Sequence, residues 1–135
     1  PEELFSRPQN DFVGYFIGSP PMNMINLEVR EGLLSTGALS LTQQPPTDST
    51  AALYQMGIRP EHISLVGDHA QNIGLGTIKK IEHLGVDGIV TLQLATGITI
   101  KAKTRKHTQM QVGTQMGINV QQDDALLYLD GKLAP

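Results

Sequence analysis

The sequence predicts a mainly β fold, a small barrel or sandwich preceded by one short helix. From Met22 onward, short runs rich in Val, Ile, Leu and Thr are separated at close intervals by Gly and Pro, of which the chain has 14 and 8. Short strands joined by frequent turns are typical of all-β barrels and sandwiches. With 39% hydrophobic and 17% charged residues in a chain of 135, the composition favours one compact domain with a buried core.

The predicted helix lies near the N-terminus, over residues 11–17. Asn10 is its expected N-cap, because an Asn side chain accepts hydrogen bonds from the first free backbone N–H groups. Phe12 and Phe16 are four positions apart and therefore share one helical face. Gly18 suits the end of the helix, and the two prolines that follow prevent its continuation. We expect the apolar face of this helix to dock on the rest of the domain.

Seven strands are predicted from the runs of β-branched and aliphatic residues, namely Met24–Arg30, Leu53–Arg59, Gly76–His83, Ile89–Leu94, Ile98–Lys103, Gln115–Val120 and Ala125–Leu129. Hairpin turns are expected at Ala95–Gly97, where Gly97 can adopt a positive φ, at Val86–Gly88, and at Asp130–Gly131. Residues 42–52 are mostly polar and predict an exposed loop.

The composition excludes several classes of function. A net charge of −3 lacks the basic footprint of a general nucleic-acid binder. The absence of Cys excludes disulfides, thiolate zinc sites and a cysteine nucleophile. No apolar run approaches the roughly 20 residues that a membrane-spanning helix needs, so direct membrane insertion is not expected. The chain begins with Pro and has no signal-peptide pattern, and we expect it to be a piece of a longer polypeptide.

No metal site and no catalytic residues are predicted. The four histidines, His62, His69, His83 and His107, are spaced unlike any compact zinc motif, and we interpret them as ordinary surface or turn residues. The sequence has no G-x-S-x-G nucleophile motif, and its acidic residues fall mainly in turns and at strand ends. Nothing in the chain therefore indicates an enzyme.

No cofactor-binding loop is predicted either. Gly74–Lys79 begins like a dinucleotide fingerprint, but Lys79 stands where the third Gly belongs and no helical pattern follows. Gly131-Lys132 lacks the upstream Gly and the following Ser or Thr of a Walker A loop. Leu34–Ala38 only faintly resembles the signature motif of ABC ATPases.

The basic residues Lys101, Lys103, Arg105, Lys106 and His107 leave two alternatives open. On a strand, the first three share one face, and such a face is usually solvated and protects a sheet edge from aggregation. The other alternative is a free-standing binder of single-stranded nucleic acid or small oxyanions. The scarcity of aromatic residues argues against it, because single strands are usually held by stacking on aromatic rings.

Three segments resemble one known family. Phe12–Asn23, FVGYFIGSPPMN, is similar to the segment that follows the nucleotide-binding domain in ABC importer ATPases of the maltose and glycerol-3-phosphate type. Gly57–His62, GIRPEH, matches a box of that family, and Gly76–Gly85, GTIKKIEHLG, resembles a third segment. Asp124–Leu133 resembles the closing strand and turn, so the similarity covers essentially the whole chain. The motif residues that carry it are Phe12, Phe16, Gly18, Ser19, Asn23, Arg59, Pro60 and Glu61.

The resemblance implies an OB-type (TOBE, MOP-like) small β-barrel, the C-terminal regulatory region of a bacterial importer ATPase. Residues 1–21 would be the helical connector from the ATPase domain, and residues 22–135 the regulatory domain. In this family two regulatory domains pack together and hold the ATPase dimer associated. The resemblance also implies transporter membrane subunits as partners and a cytoplasmic position on the inner face of the plasma membrane. ATP and Mg²⁺ would belong to the ATPase domain, and this region would be non-catalytic.

Some members of the family also bind regulatory proteins. By motif, Gly57, Gly76 and Glu82 stand at positions linked to that surface in the maltose type. Two further positions depart from the family pattern, since Asp11 replaces an Arg and Met24 replaces a Phe, and the charge reversal argues against the same inhibitor.

The motif residues also have expected structural roles. Gly57 and Gly76 are expected to allow strands to bend or approach closely. Arg59 is expected to anchor the Pro60-Glu61 turn to a carboxylate. Ser19 and Asn23 are expected to tie the Pro-Pro turn through side-chain hydrogen bonds to the backbone.

Overall fold

The computed structural model describes residues 21–46 and 50–134. Within these ranges the chain forms short strands linked by tight turns and three single-turn 3₁₀ helices, at Pro60–His62, His107–Gln109 and Gln122–Asp124. The strands are β1 (Asn23–Asn26), β2 (Glu28–Arg30), β3 (Leu33–Ser35), β4 (Thr42–Gln43), β5 (Tyr54–Ile58), β6 (Ser64–Gly67), β7 (Gly74–Leu84), β8 (Asp87–Leu94), β9 (Thr99–Thr104), β10 (Gln115–Asn119), β11 (Leu126–Leu129) and β12 (Lys132–Leu133).

The strands form three antiparallel sheets. A five-stranded sheet has the order β6-β10-β7-β8-β9, a four-stranded sheet the order β1-β5-β11-β12, and a small sheet the order β2-β3-β4. Strand β7 is the longest and lies at the centre of the five-stranded sheet, with β10 on one side and β8 on the other. The mainly β fold class predicted from the sequence is confirmed.

Each of the seven predicted strands is present, and the first is divided into β1 and β2 at Leu27. Four further strands, β3, β4, β6 and β12, have only two to four residues and no alternating pattern of their own. The predicted helix over 11–17 and almost all of the predicted connector over 1–21 lie outside the described residues.

The prediction of an exposed loop over residues 42–52 is wrong at its start. Thr42 and Gln43 form β4 and pair with β3 in spite of their polar side chains. The Gln43 side-chain amide also donates a hydrogen bond of 2.8 Å to the carbonyl of Ala125. The preceding residue, Leu41, is buried. Residues 41–43 are therefore held in place by contacts with residues distant in sequence, such as Ala125.

Two of the three predicted turns are confirmed. Gly97 has a φ of 95° in the β8–β9 hairpin, and Asp130 and Gly131 both have positive φ in the β11–β12 hairpin. The turn predicted at Val86–Gly88 is displaced toward the N-terminus. Gly85 supplies the positive φ at 89°, and β8 has already begun at Asp87.

The core lies between the sheets and consists mostly of aliphatic side chains. The largest side chains that are fully buried are Tyr128, Leu34, Met56, Ile58, Ile78, Leu92, Ile100, Ile118 and Val90. Inward positions alternate along β9, where Ile100 and Ala102 are buried and Thr99 and Lys103 are exposed, which is the pattern of a sheet with one face on a core.

Asn23 joins the two larger sheets. Its side-chain Nδ2 donates to the carbonyl oxygens of Ile58 on β5 (3.1 Å) and Lys101 on β9 (2.9 Å). Its Oδ1 accepts a hydrogen bond of 2.8 Å from the Lys101 N–H. The prediction that Asn23 makes side-chain hydrogen bonds to backbone is correct, but the partners that the structure shows lie 35 and 78 positions away and are not in the Pro-Pro turn.

We expect Asn23→Ala to lower the free energy of unfolding by about 2 kcal/mol, because it removes three hydrogen bonds to partly buried backbone groups. Asn26→Ala is the matched control on the same strand. The Asn26 amide is exposed and accepts one bond from Gln55, so its loss should change stability by less than about 0.5 kcal/mol. Urea denaturation of both variants measures the difference, and equal losses would contradict the role given to Asn23.

Candidate functional site

The residues predicted for a regulatory surface fall into two groups. Gly57 and Gly76 are buried in β5 and β7, and their Cα atoms face packed side chains. A Cβ built on Gly57 would lie 2.6 Å from both Met22 Sδ and Tyr128 Cε1. A Cβ on Gly76 would lie 3.1 Å from side-chain atoms of Ile118, Leu92 and Leu94. Both positions therefore serve the close approach of strands and contribute no exposed side chain.

Glu82 is the member of the predicted set whose side chain reaches the surface. It lies on β7 and forms an ion pair with Lys80, at 3.6 Å between Oε1 and Nζ. Two residues further on, the β7–β8 hairpin carries two exposed apolar side chains, Leu84 (63% exposed) and Val86 (70% exposed). We refer to Glu82, Leu84 and Val86 as the hairpin surface. The sequence signal for it was the pair of aliphatic residues that flank Gly85 in a turn, where polar residues are usual.

The Arg59-Pro60-Glu61 motif forms the crossing between the two larger sheets. Arg59 and Pro60 are buried, and Glu61 is exposed on the 3₁₀ helix Pro60–His62. The helix is closed by the His62 N–H, which donates to the Arg59 carbonyl at 3.0 Å. It packs against β9, so the motif fixes how the chain passes from β5 to β6. The predicted carboxylate contact of Arg59 stays a prediction.

The motif residues Phe12, Phe16, Gly18 and Ser19 lie outside the described residues.

The basic residues near the end of β9 do not form one uniform cationic face. The Lys101 backbone binds Asn23, and its side chain is half-buried. Lys103 and Arg105 both lie 3.9 Å from the carboxylate of Asp87. Among the described residues the aromatic side chains are Tyr54, which is half-buried, and Tyr128, which is fully buried. Asp87 thus lies among these cations, and the two described aromatic side chains do not offer the exposed stacking rings by which a nucleic-acid strand is usually held.

The interpretation of all four histidines as surface or turn residues is wrong for His107. Its side chain is buried beneath the β7–β8 hairpin and touches His83, which is 24 positions earlier in the chain. His62 and His69 do lie at the surface, beside Asp124 and Asp68. Within residues 21–46 and 50–134, no group of three or more His, Cys, Asp or Glu side chains could hold a metal ion.

The segments that resemble phosphate-binding loops have other structures. Gly74–Lys79 lies inside β7, and Gly131-Lys132 belongs to the β11–β12 hairpin. Neither precedes a helix, so neither presents the helix N-terminus at which such loops hold phosphate. In the part of the chain that the structure describes, no helix is long and apolar enough to cross a membrane.

Comparison with known families gives two matches. The TOBE domain family matches residues 56–127, and the MalK OB fold domain family matches residues 18–63. Together they include β1–β10 and the first two residues of β11, and they overlap at the crossing between β5 and β6.

Two similar curated proteins are named as import ATP-binding proteins. The sn-glycerol-3-phosphate import ATP-binding protein UgpC 3 of Agrobacterium fabrum is 31% identical over 133 residues, covering 95% of this chain and 36% of that protein. The trehalose/maltose import ATP-binding protein MalK of Thermococcus litoralis is 29% identical, covering 87% of this chain and 35% of that protein. The chain thus spans about a third of the length of these relatives.

Among solved structures, the cytoplasmic molybdate-binding protein ModG with molybdate bound superposes with a TM-score of 0.62. The match covers 79% of this chain and 95% of ModG at 18% sequence identity. At this identity the likeness shows the fold alone.

The packing around Gly57 predicts a large effect of one methyl group. Gly57→Ala should lower the free energy of unfolding by about 1–3 kcal/mol, because the new Cβ displaces Met22 and the buried Tyr128 ring. Gly67→Ala is the matched control on β6, since nothing lies within 4 Å of a Cβ there, and it should be neutral or stabilise by up to about 1 kcal/mol. Thermal unfolding followed by circular dichroism distinguishes the two, and a neutral Gly57→Ala would contradict the close packing.

Proposed function

The chain belongs to the TOBE domain family, and we propose that it is the non-catalytic regulatory and dimerization domain of an ABC importer ATPase subunit of the carbohydrate or glycerol-3-phosphate type. The observation that carries the proposal is the combination of the two family matches with relatives that are import ATP-binding proteins over nearly the whole chain. In such a subunit, ATP and Mg²⁺ bind to a separate ATPase domain, and residues 1–21 form the connector to it.

The hairpin surface supports a role in protein contacts. Leu84 and Val86 expose apolar side chains at the tip of the β7–β8 hairpin, and neither side chain is part of the buried core. Exposed apolar side chains that lie together are typical of protein–protein contact sites. Glu82 adds a carboxylate next to them, which gives a partner a charged group to recognise. We propose a second copy of this domain as the partner at the apolar tip, and a regulatory protein as a further partner at Glu82.

The whole transporter gives the proposed setting. As part of an ATPase subunit, the domain associates with the membrane subunits of the importer through its parent protein. It then works on the cytoplasmic face of the plasma membrane. The domain keeps two ATPase subunits together while their catalytic domains open and close around ATP.

A second candidate, an OB-type binder of single-stranded nucleic acid or small oxyanions, is less well supported. Its motivation was the basic residues near the end of β9, and two of these, Lys103 and Arg105, are paired with Asp87. Retention on single-stranded DNA at low salt that decreases steeply with added salt would favour this candidate.

We expect the 135-residue chain not to bind ATP with Mg²⁺. Isothermal titration calorimetry should give only the heat of dilution, with the same result for ADP. Saturable nucleotide binding would contradict the non-catalytic role. The parent subunit, which would contain a complete nucleotide site, serves as the positive control.

We also expect the chain to self-associate. Sedimentation velocity should show a sedimentation coefficient that rises with protein concentration, and Leu84→Ser combined with Val86→Ser should shift the distribution toward monomer because it removes the apolar contact. Val29→Ser is the control, since Val29 is 58% exposed on β2, which belongs to a different sheet from the hairpin. A chain that stays monomeric at every concentration would contradict a dimerization role of this domain.

A further inference from the structure

A buried imidazole connects the β7–β8 hairpin to the 3₁₀ helix His107–Gln109. His107 begins this helix and is only 2% exposed. Its ring fills the space that a side chain at Gly88 would need, since a Cβ built there would collide with the His107 ring. Gly88 is thus explained by packing, and the hairpin rests directly on the ring.

The hydrogen bonds of His107 determine which ring nitrogen carries hydrogen. Nε2 lies 3.1 Å from the Gly85 carbonyl oxygen and 3.2 Å from that of Val86. A carbonyl oxygen only accepts hydrogen bonds, so Nε2 is the protonated nitrogen and donates to both. In a neutral imidazole, the other nitrogen is then a pure acceptor. Nδ1 of His107 therefore presents a lone pair.

That lone pair faces another histidine. Nδ1 of His107 lies 2.6 Å from Nδ1 of His83 on β7, with the ring centroids 4.8 Å apart. A contact this short needs one hydrogen between the two nitrogens, and His107 has none to give on this side. His83 therefore donates from Nδ1, and its own Nε2 is the acceptor that remains on an exposed residue.

The pair accommodates one added proton but not two. A proton added to Nε2 of His83 leaves the contact in place and makes it a charge-assisted hydrogen bond, which is stronger than a neutral one. The next basic nitrogen is Nδ1 of His107, which already accepts the bond from His83. A proton there would place two N–H groups against each other and two positive charges on neighbouring rings.

We infer that His83 and His107 form a proton-operated latch, which holds the β7–β8 hairpin on the 3₁₀ helix with no proton or one proton added and opens on binding the second. The open form binds one proton more than the closed form. By linkage, the closed form therefore becomes more stable as pH rises and less stable as pH falls. The inference concerns a contact within the chain, so it holds independently of the proposed transporter role.

Other charged groups lie on the elements that pack around the latch. On β7, Glu82 pairs with Lys80. At the start of β8, Asp87 pairs with Lys103 and Arg105 near the end of β9, and Lys106 precedes the 3₁₀ helix. Protonation of Asp87 in acid would weaken the same region by another route. A test of the latch therefore has to separate Asp87 from the histidines.

The first experiment identifies the protonated nitrogens. Long-range ¹H–¹⁵N correlation spectra of the ¹⁵N-labelled 135-residue chain, recorded at about pH 8, where histidine is ordinarily neutral, distinguish the two tautomers of each ring. We expect hydrogen on Nδ1 of His83 and on Nε2 of His107. Hydrogen on Nε2 of both rings would overturn the latch, because no hydrogen would then lie between the two Nδ1 atoms.

The second experiment measures opening. Amide hydrogen exchange of β7 and β8 residues near the turn, expressed as protection factors between about pH 7.5 and about pH 5, should show opening that increases as pH falls. The increase should approach about tenfold per pH unit where the second proton binds, which corresponds to one proton taken up. Amides of β10 should change much less.

Three variants separate the causes. His83→Ala should abolish the acid-dependent opening, because His107 can then hold a proton on Nδ1 without meeting a second N–H. His69→Ala should behave like the original chain, since the His69 side chain is fully exposed. Asp87→Asn should retain the acid dependence. Acid dependence that persists in His83→Ala would refute the latch. Acid dependence that only Asp87→Asn loses would also refute it and would identify the Asp87 carboxylate as the source.

Discussion

The amide group of Asn23 forms a hydrogen-bonded junction between two sheets that have no strand in common. Asn23 lies on β1, an end strand of the four-stranded sheet, and Lys101 lies on β9, an end strand of the five-stranded sheet. The amide donates to the Lys101 carbonyl and accepts from the Lys101 N–H, which is how a neighbouring strand's backbone would bind it. One side chain thus takes the place of a peptide group between two sheet edges. Two core side chains lie next to this junction in the sequence: Ile58, whose carbonyl Asn23 binds, and Ile100, which precedes Lys101, are both buried.

The segments that carry the family resemblance coincide with this junction. Asn23 closes the first segment, and the second, Gly57–His62, supplies the Ile58 carbonyl that Asn23 also binds. The same segment contains Gly57, which makes room for Tyr128, and the 3₁₀ helix that packs against β9. These residues bring the sheets together. Their match to the family pattern is therefore evidence, in the first place, that this chain has the family's fold. This explains why the motif identifies the domain while two of the three residues transferred to a regulatory surface lie inside it.

The local sequence pattern was sufficient to predict the long strands β7, β8 and β9, because each extends over six residues or more and its apolar residues alternate or form a continuous run. It was insufficient wherever a partner distant in sequence decides the structure. Strand β4 has two polar residues and exists because β3 and Ala125 bind it. Glycine was ambiguous for the same reason. Gly85 turns the chain with a positive φ, whereas Gly88, which lies in the predicted turn Val86–Gly88, leaves space for His107. Nothing near Gly88 in the sequence indicates a ring 19 positions later.

The hairpin links the surface of the domain to its interior. Its tip carries Leu84 and Val86, which are exposed, and its base rests on His107, which is buried. The carbonyl groups of Gly85 and Val86 bind the His107 ring, so the backbone that presents the apolar side chains is the same backbone that the latch holds. A partner that binds the closed hairpin better than the open one must therefore lower the affinity of the His83–His107 pair for the second proton. By the reciprocity of linked equilibria, that proton must weaken the partner's binding by the same factor. The partner at the tip and the proton at the base are thus two ligands of one structural element, the β7–β8 hairpin.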